Sequence, residues 1–463
     1  MANTANPNKY PPQIKYIVSN EAAERFSYYG MRTILTVFMI KFLMIPEADA
    51  VSTYHNFSAA VYLLPLLGAY LSDRWWGKYK TIMRLSVVYC LGHLVLALFE
   101  SKTGLYWGLG LIALGSGGIK PCVSAHVGDQ FKAGQEALLA KIFNLFYWMI
   151  NFGAFFSTLL TPWTLEHYGP QLAFGIPGIL MFIATIIFWM GRKHYIHVPP
   201  SGPNPHGFLK IVFAGVTGLF SGSSYSVAAK KKHPAKEVEA SINIMKLILI
   251  YFWVSVFWAL FDQTGSTWII QAEKMIPSVA GIPVLPSQMQ AINPILVLTL
   301  IPVFTFFIYP ALEKIGIKMT PLRRMSFGMF SGALAFAAVS VVQGWIEGGQ
   351  QLSIGWQALP YFIITMAEIK VSITGLEFAY TQAPRSMKST IMSIWLLTTF
   401  FGNMLTSVLT KIKFSETASA TYFWQFTGIM FAVSIIFSIF SIFYKEQNYM
   451  ENDKTLKDVL IEP

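Results

Sequence analysis

Residues 169–191 read Gly169-Pro170-Gln171-Leu172-Ala173-Phe174-Gly175-Ile176-Pro177-Gly178-Ile179-Leu180-Met181-Phe182-Ile183-Ala184-Thr185-Ile186-Ile187-Phe188-Trp189-Met190-Gly191, and Arg192-Lys193 follow at once. No charged residue interrupts the run, which exceeds the ~20 residues a helix needs to cross a bilayer core of ~30 Å. Comparable apolar segments recur along the chain, at 17–44, 53–73, 80–99, 104–128, 138–164, 243–271, 289–311, 321–345, 355–381, 387–411 and 421–444. Lipid offers no partners to an irregular backbone, so spans of this kind are helical. The pattern predicts an all-α integral membrane protein with 12 transmembrane helices and both termini on one side.

Composition agrees. Of 463 residues, 54% are hydrophobic, 15% aromatic and 12% charged, and the mean hydropathy is +0.49. Soluble domains carry about 25% charged residues, and half that share cannot cover the surface of a chain this long. A cytosolic enzyme, a disordered regulator and a disulfide-stapled secreted domain are thereby excluded. Cys90 and Cys122 both fall in apolar segments and make no disulfide framework. The polar, Pro-containing stretch Met1–Lys15 lacks a cleavable apolar run, so it reads as a cytoplasmic tail.

The net charge of +11 is distributed in short clusters between spans, as cytoplasmic loops require, and not as a nucleic-acid surface. Connections after even-numbered spans hold Arg74, Lys78, Lys80, Lys132, Arg192, Lys193, Lys314, Lys318, Arg323, Arg324, Arg385 and Lys388. Those after odd-numbered spans hold only Lys41, Lys102, Lys274, Lys411 and Lys413. The excess assigns the first group and both termini to the cytoplasm, with the protein multi-pass in the cell (inner) membrane.

Between spans six and seven lies a linker that opens Pro199-Pro200-Ser201-Gly202-Pro203 and carries Lys230-Lys231-Lys232. Its apolar piece, Phe208 to Phe220, is too short to cross and is expected at the interface or in the cytoplasm. A faint repeat flanks this linker: Asp73-Arg74-Trp75-Trp76-Gly77-Lys78-Tyr79-Lys80-Thr81 and Glu313-Lys314-Ile315-Gly316-Ile317-Lys318-Met319-Thr320 share an acid–base pair, Gly, Lys and Thr in order. Duplicated transporters look like this in sequence. The predicted organisation is an N-terminal six-helix bundle (1–192), a cytoplasmic linker (193–242), and a C-terminal six-helix bundle with tail (243–463).

Charges inside spans are costly, about 2.5–3.5 kcal/mol each on insertion scales. The first span carries Glu21, Glu24, Arg25 and Arg32. At 3.6 residues per turn, Glu21, Arg25 and Tyr29 advance by about 40° each, and Arg32 returns to within about 20° of Arg25. Acid, base, phenol and base thus share one stripe, which must face a protein interior or a wet cavity. An ion-pair group packed for stability is the competing reading, but buried pairs often stabilise less than apolar replacements. Lys120, in Gly115-Ser116-Gly117-Gly118-Ile119-Lys120-Pro121, is a further cation at depth. Small-residue helix packing accounts for those glycines, and the Gly-Lys-Ser/Thr of a phosphate loop is missing.

Span ten holds Glu368, Lys370 and Glu377; Glu368 is equally readable as structural, and Glu377, between Gly375 and Tyr380, is the expected cavity acid. Asp262 lies in span seven. His55 opens span two, a proton site or a packing residue. Tyr62, Tyr147, Asn151 and Asn293 add polar groups that serve a cavity or bridge helices. Arg25, Arg32 and Lys120 would attract a carboxylate, and Glu377 with Asn151 and Asn293 an ammonium, so a zwitterion fits. This reading requires Arg25, Lys120 and Glu377 to share one chamber.

Glu21-Ala22-Ala23-Glu24-Arg25-Phe26-Ser27-Tyr28-Tyr29-Gly30 resembles the first-helix signature of the proton-dependent oligopeptide transporters, a branch of the major facilitator superfamily. Gly68 through Thr81 and Phe143 through Phe155 resemble two further signatures of that family, and Thr53 to Phe57, Phe257 to Ser266 and Gly375 to Pro384 are similar to its mammalian members. The resemblance covers essentially the whole chain. It implies a major facilitator fold without the extra linker helix pair of many bacterial relatives, and without the large extracellular domain of the mammalian forms. It also implies proton-coupled import of di- and tripeptides by alternating access, with the proton as coupling ion, no other cofactor, no metal, no catalytic residues and a monomeric unit.

By position in the motifs, Glu21, Glu24 and Arg25 would couple proton to peptide. Arg25, Arg32 and Lys120 would hold the peptide C-terminus, and Asn151, Asn293 and Glu377 its N-terminus. Tyr29, Tyr62, Tyr147, Trp268 and Trp395 would line the pocket, and His55 with Asp262 would form an outer proton site. Arg32 and Asp262 would pair across an outer gate, with Asp73 and Arg74 acting at a cytoplasmic one. Transport of another solute, such as nitrate or a drug-like molecule, is the alternative, and a peptide sensor that does not transport is a third reading.

Overall fold

The computed structural model describes residues 10–131, 135–200, 202, 204–382 and 387–444. Among residues named above, Met1, Lys132, Ser201, Pro203, Pro384 and Arg385 lie outside the described residues, as does the tail from residue 445. The described chain is helical almost throughout: α1 (Ile14–Val37), α2 (Glu47–Leu71), α3 (Gly77–Leu98), α4 (Lys102–Gly128), α5 (Glu136–Tyr168), α6 (Pro170–Met190), α7 (Phe208–Phe220), α8 (Tyr225–Lys230), α9 (Ala235–Phe261), α10 (Thr267–Glu273), α11 (Ile292–Val303), α12 (Tyr309–Lys314), α13 (Pro321–Glu347), α14 (Ala358–Glu368), α15 (Thr374–Thr381), α16 (Lys388–Lys411) and α17 (Ala420–Phe443). Among the described residues, eight helical runs are long and apolar enough to cross a membrane; one, Glu47–Leu98, contains two of the predicted spans. α1, with its five charged residues, is not among the eight.

Four segments predicted as continuous are interrupted. The first passes from α1 into a π-helical turn, Phe38–Phe42. A 3-10 turn, Asp262–Gly265, separates α9 from α10. A π-helical turn, Phe304–Ile308, joins α11 to α12 shortly after Pro302, whose ring cannot continue the α-helical ladder. Another, Ile369–Ile373, joins α14 to α15. In the linker, α7 has 13 residues and α8 has 6, neither long enough to span. α9 begins at Ala235, inside the stretch assigned to the linker. One departure from an all-helical chain is a hairpin pairing Ser278–Val279 with Ile282–Pro283. Its two turn residues, Ala280 (φ 51°) and Gly281 (φ 84°), are both left-handed, as the twist of a tight hairpin demands.

Two apolar cores organise the molecule. One gathers residues from Ile14 to Tyr195 and is built by α1–α6 with their flanking turns. The other gathers mainly residues from Ile211 to Phe437. Within the first, α3 packs on α4, α2 on α4, and α1 on α5 and α6; within the second, α9 packs on α16, and α13 on α14 and α17. The halves meet where α2 lies against α16 and α5 against α11. Both glycines of the repeated loop have a positive φ, Gly77 at 72° and Gly316 at 85°, which favours glycine at each position.

The glycines of 115–118 are packing residues. A Cβ on Gly68 of α2 would stand 2.2 Å from the Gly118 carbonyl oxygen, and one on Gly115 would stand 2.6 Å from Tyr89 Cβ. Backbone contact of this kind suits membrane helices, which have no hydrophobic force between them and associate through close packing. Gly68→Val should therefore cost at least about 1–3 kcal/mol of overpacking. Thermal unfolding in detergent should show a clear drop for Gly68→Val and little change for Gly110→Ala, whose Cβ would meet nothing within 4 Å.

Candidate functional site

A cavity of about 570 Å³ opens between the two halves, inside the range of ≈ 300–1,000 Å³ typical of small-ligand sites. The first half contributes Tyr29, Arg32, Tyr62, Tyr147 and Asn151 to its wall, and the second Trp258, Asp262, Asn293, Tyr361 and Glu368. Tyr147, Ile373 and Leu376, further along the wall, are exposed. The wall is thus mostly aromatic and aliphatic, with a few charged and amide groups facing one another across it.

On α1 the predicted stripe is intact. Arg25 Nε stands 2.7 Å from Glu21 Oε1 and 3.2 Å from Glu24 Oε2, and both carboxylates are buried. The other oxygen of Glu24 accepts a 3.0 Å hydrogen bond from Ser116 Oγ on α4. One turn beyond Ser116, Lys120 Nζ lies 4.5 Å from the Tyr28 ring and 4.8 Å from the Tyr62 ring. Aromatic faces attract a cation without neutralising it, and no described carboxylate lies within 4.0 Å of Lys120.

At the far end of α1 the halves are tied together. Arg32 forms an ion pair with Asp262, and its guanidinium sits 5.2 Å from the Tyr54 ring. Asp262 Oδ2 also accepts a 2.6 Å hydrogen bond from Asn403 Nδ2 on α16. His55 does not bond Asp262 directly: its Nδ1 is 2.7 Å from Asn403 Oδ1, and its Nε2 is 2.9 Å from Ser266 Oγ. Thr36 donates to the Gly265 carbonyl at 2.7 Å, and the hydroxyls of Ser52 and Ser407 lie 2.8 Å apart. Apart from Asn403–Asp262, inside the second half, and Arg32–Tyr54, inside the first, these contacts cross from one half to the other. The exposed Lys41–Glu273 pair at 2.6 Å belongs to the same end, but a solvated pair contributes at most about 1 kcal/mol.

Several expected site residues stand elsewhere. Glu377 is exposed and does not line the cavity; the span-ten acid in the wall is Glu368. Glu368 closes α14 and Glu377 lies in α15, beyond the π-turn Ile369–Ile373 that changes the direction in which the later side chains are aimed. Asn293 Nδ2 holds Glu368 Oε2 at 2.6 Å and Thr365 Oγ1 at 3.1 Å, and no described cation lies within 4.0 Å of Glu368. Trp268 is fully buried against Tyr361 and Phe336, because the 3-10 turn before it re-aims α10. Trp395 is buried too, filling the space beside Gly375, where a Cβ would meet its ring at 2.2 Å. The aromatic wall is completed instead by Trp258, Phe261 and Tyr361.

Asp73 and Arg74 are both exposed and form no ion pair among the described residues. The pair at that end joins Lys78 Nζ to Asp129 at 2.7–2.8 Å, inside the first half. Asn403, Ser266 and Ser116 were not legible as site residues, since a small polar side chain in a span carries no charge penalty to single it out.

The sequence pattern of the POT family matches residues 79–425. Solute carrier family 15 member 2 of Oryctolagus cuniculus is 38% identical over 392 residues, covering 80% of this chain and 54% of that protein. Peptide transporter family 1 of Drosophila melanogaster is 40% identical over 353 residues, covering 72% and 47%. The chain spans about half the length of the curated relatives it matches. Among solved structures, an auto-inhibited POT family peptide transporter matches with a TM-score of 0.89 at 38% identity, covering 95% of this chain and 98% of that one. The POT family transporter PepTSo matches with a TM-score of 0.88 at 40% identity, covering 94% and 98%.

The geometry makes one end of the inter-half seam closed and the cavity wall accessible. In a background without Cys90 and Cys122, a water-soluble maleimide should label Tyr147→Cys freely. It should label Ser52→Cys roughly tenfold more slowly or less, since reaction there requires local opening. Equal rates at both positions would contradict the closed seam.

Proposed function

The chain belongs to the POT family, a family of membrane transporters and not of enzymes, and from that premise we propose that it imports di- and tripeptides together with protons by alternating access. The observation that carries the proposal is a pair of unmatched, opposite charges on the two halves. Glu368 is held by a neutral amide with no described cation within 4.0 Å, and Lys120, over the cavity-lining ring of Tyr62, has no described acid within 4.0 Å, Glu24 being already paired with Arg25. Charges left unpaired away from bulk water are costly. A peptide zwitterion brings an ammonium for one and a carboxylate for the other, and the aromatic walls accept varied side chains through non-directional apolar contact.

In this reading Glu368 and Asn293 hold the peptide N-terminus, with Asn151 facing them, while Lys120, Arg25 and Arg32 serve its C-terminus. Tyr29, Tyr62, Tyr147, Trp258 and Tyr361 form the side-chain walls. Glu21 and Glu24 couple the proton: protonating one of them weakens its hold on Arg25, which is then free to bind the peptide carboxylate. A ligand shifts a conformational equilibrium only by its differential affinity for the two states, so the proton acts by changing which partner Arg25 prefers. Arg32 and Asp262, ion-paired across the two halves, serve as the outer gate, and His55 exchanges protons beside it.

The same proposal takes the protein to be monomeric and multi-pass in the cell (inner) membrane, with twelve spans and both termini cytoplasmic. Residues 1–192 and 243–463 then form the two rocking halves and 193–242 the cytoplasmic linker. The proton is its coupling ion, with no other cofactor.

Proteoliposome uptake of labelled dialanine under an imposed pH gradient tests the assignment. Glu368→Gln removes a charged hydrogen-bonding partner worth about 1.5–3 kcal/mol, so peptide-driven proton uptake should fall roughly tenfold to a hundredfold. Glu377→Gln should keep most of the wild-type rate. The opposite ranking would return the ammonium site to Glu377. Failure of dialanine to be transported, with nitrate carried instead, would replace the substrate.

A further inference from the structure

Asn403 of α16 joins two other elements and its own helix at once. Its Nδ2 donates to Asp262 Oδ2 at 2.6 Å and to the Thr399 carbonyl at 3.0 Å, and its Oδ1 is 2.7 Å from His55 Nδ1. The orientation of the amide is forced. Turned over, its oxygen would face a carboxylate and a carbonyl, neither of which has a hydrogen to give. With the oxygen toward His55, the hydrogen of the 2.7 Å contact must sit on the imidazole, because an amide oxygen only accepts.

His55 is therefore held with hydrogen on Nδ1, and its remaining nitrogen, Nε2, faces Ser266 Oγ at 2.9 Å. A hydroxyl can do either job: donate to a bare Nε2, or rotate and accept from a protonated one. Both charge states of the ring fit with no heavy atom moved, and Nε2 is where the proton arrives and leaves. The charged groups facing His55 are Asp262 on the 3-10 turn and Arg32 on α1, and the Tyr54 ring lies 5.3 Å from its own on α2.

We propose that Asn403 is a positioning residue that fixes the His55 tautomer and passes the charge of that ring to the Arg32–Asp262 pair. Asp262 divides its oxygens, Oδ1 to Arg32 and Oδ2 to Asn403. When a proton from the aqueous side binds Nε2, the Ser266 hydroxyl turns from donor to acceptor, and the ring becomes a cation. Its Nδ1–H then polarises the Asn403 amide, and the amide N–H becomes a stronger donor to Asp262. The carboxylate so engaged holds Arg32 less tightly, and the tie between the halves loosens. A purely structural Asn403, bonding back to Thr399 along its own helix, would leave both tautomer and pH response alone.

The transmission to transport rests on the reading of the chain as a proton-coupled carrier; the tautomer does not. Nitrogen NMR of the full chain with 15N-labelled histidine in lipid nanodiscs reads it directly, the His55 signals being those lost in His55→Gln. In the neutral ring Nδ1 should be protonated and Nε2 bare, and Asn403→Leu should release that constraint so that the Nε2–H form appears. An Nε2–H ring in the wild type, an unchanged tautomer in Asn403→Leu, or a ring charged at every pH would each overturn the proposal. Alongside, the ratio of dialanine uptake between about pH 6 and pH 8, either side of the histidine range, should flatten several-fold in Asn403→Leu. Uniform loss at every pH means a structural role only. A wild type that moves no dialanine sinks the transport reading while leaving the NMR result to judge Asn403.

Discussion

A charge inside a bilayer needs a partner, and in this chain the partners lie on different halves. Arg32 belongs to the first half and Asp262 to the second, so their ion pair is at once charge compensation and a mechanical tie. Burying two ions in low dielectric yields little net stability, whereas stripping one partner leaves the other exposed to the full desolvation penalty. Such a pair is poor glue and a good switch: it persists while both partners are satisfied and opens when one finds another. The surrounding contacts, Thr36 with Gly265, Ser52 with Ser407 and His55 with Asn403, add direction and register to the same seam.

The same constraint orders the interior. Arg25 is shared between Glu21 and Glu24, so a proton on either carboxylate alters its pairing without leaving it stranded. Glu368 and Lys120 are the counter-case, one held by a neutral amide and the other by aromatic rings, with no described opposite charge within 4.0 Å of either. The helices give way at related places. α9 breaks into a 3-10 turn at Asp262, and α14 passes into a π-turn directly after Glu368. Breaks of these two types place side chains that a regular helix would aim elsewhere, and π-turns recur at functional sites. Breaking backbone regularity in a membrane is tolerated where the segment is buried in protein or faces a wet cavity, which is where both of these occur.

Much of this was legible in the residues. The apolar periodicity gave the helical segments, the α1 stripe predicted its own ion pairs, and Arg32 with Asp262 was expected as a pair. The misplacements share a cause. Glu377 was favoured over Glu368 because of its neighbours, although a π-turn separates the two and the Asn293 contact selects Glu368. Trp268 and Trp395 are large aromatics at the right depth, but the 3-10 turn and the gap beside Gly375 turn them into packing residues. Asn403 carried no signal at all, since its importance comes from two contacts made by distant segments. Depth is readable from hydropathy; azimuth past a helix interruption is not.

Spin labels at Lys102 and Ile412, exposed ends of α4 and α16 on the two halves, report directly on whether the charge tie governs the seam. Distances between them, measured by double electron–electron resonance in nanodiscs, should form one short population in the otherwise intact protein. Asp262→Asn should move a substantial fraction to longer separations. A distribution that stays the same when Asp262 loses its charge would show that packing alone holds the halves together, and that the ion pair does not control their opening.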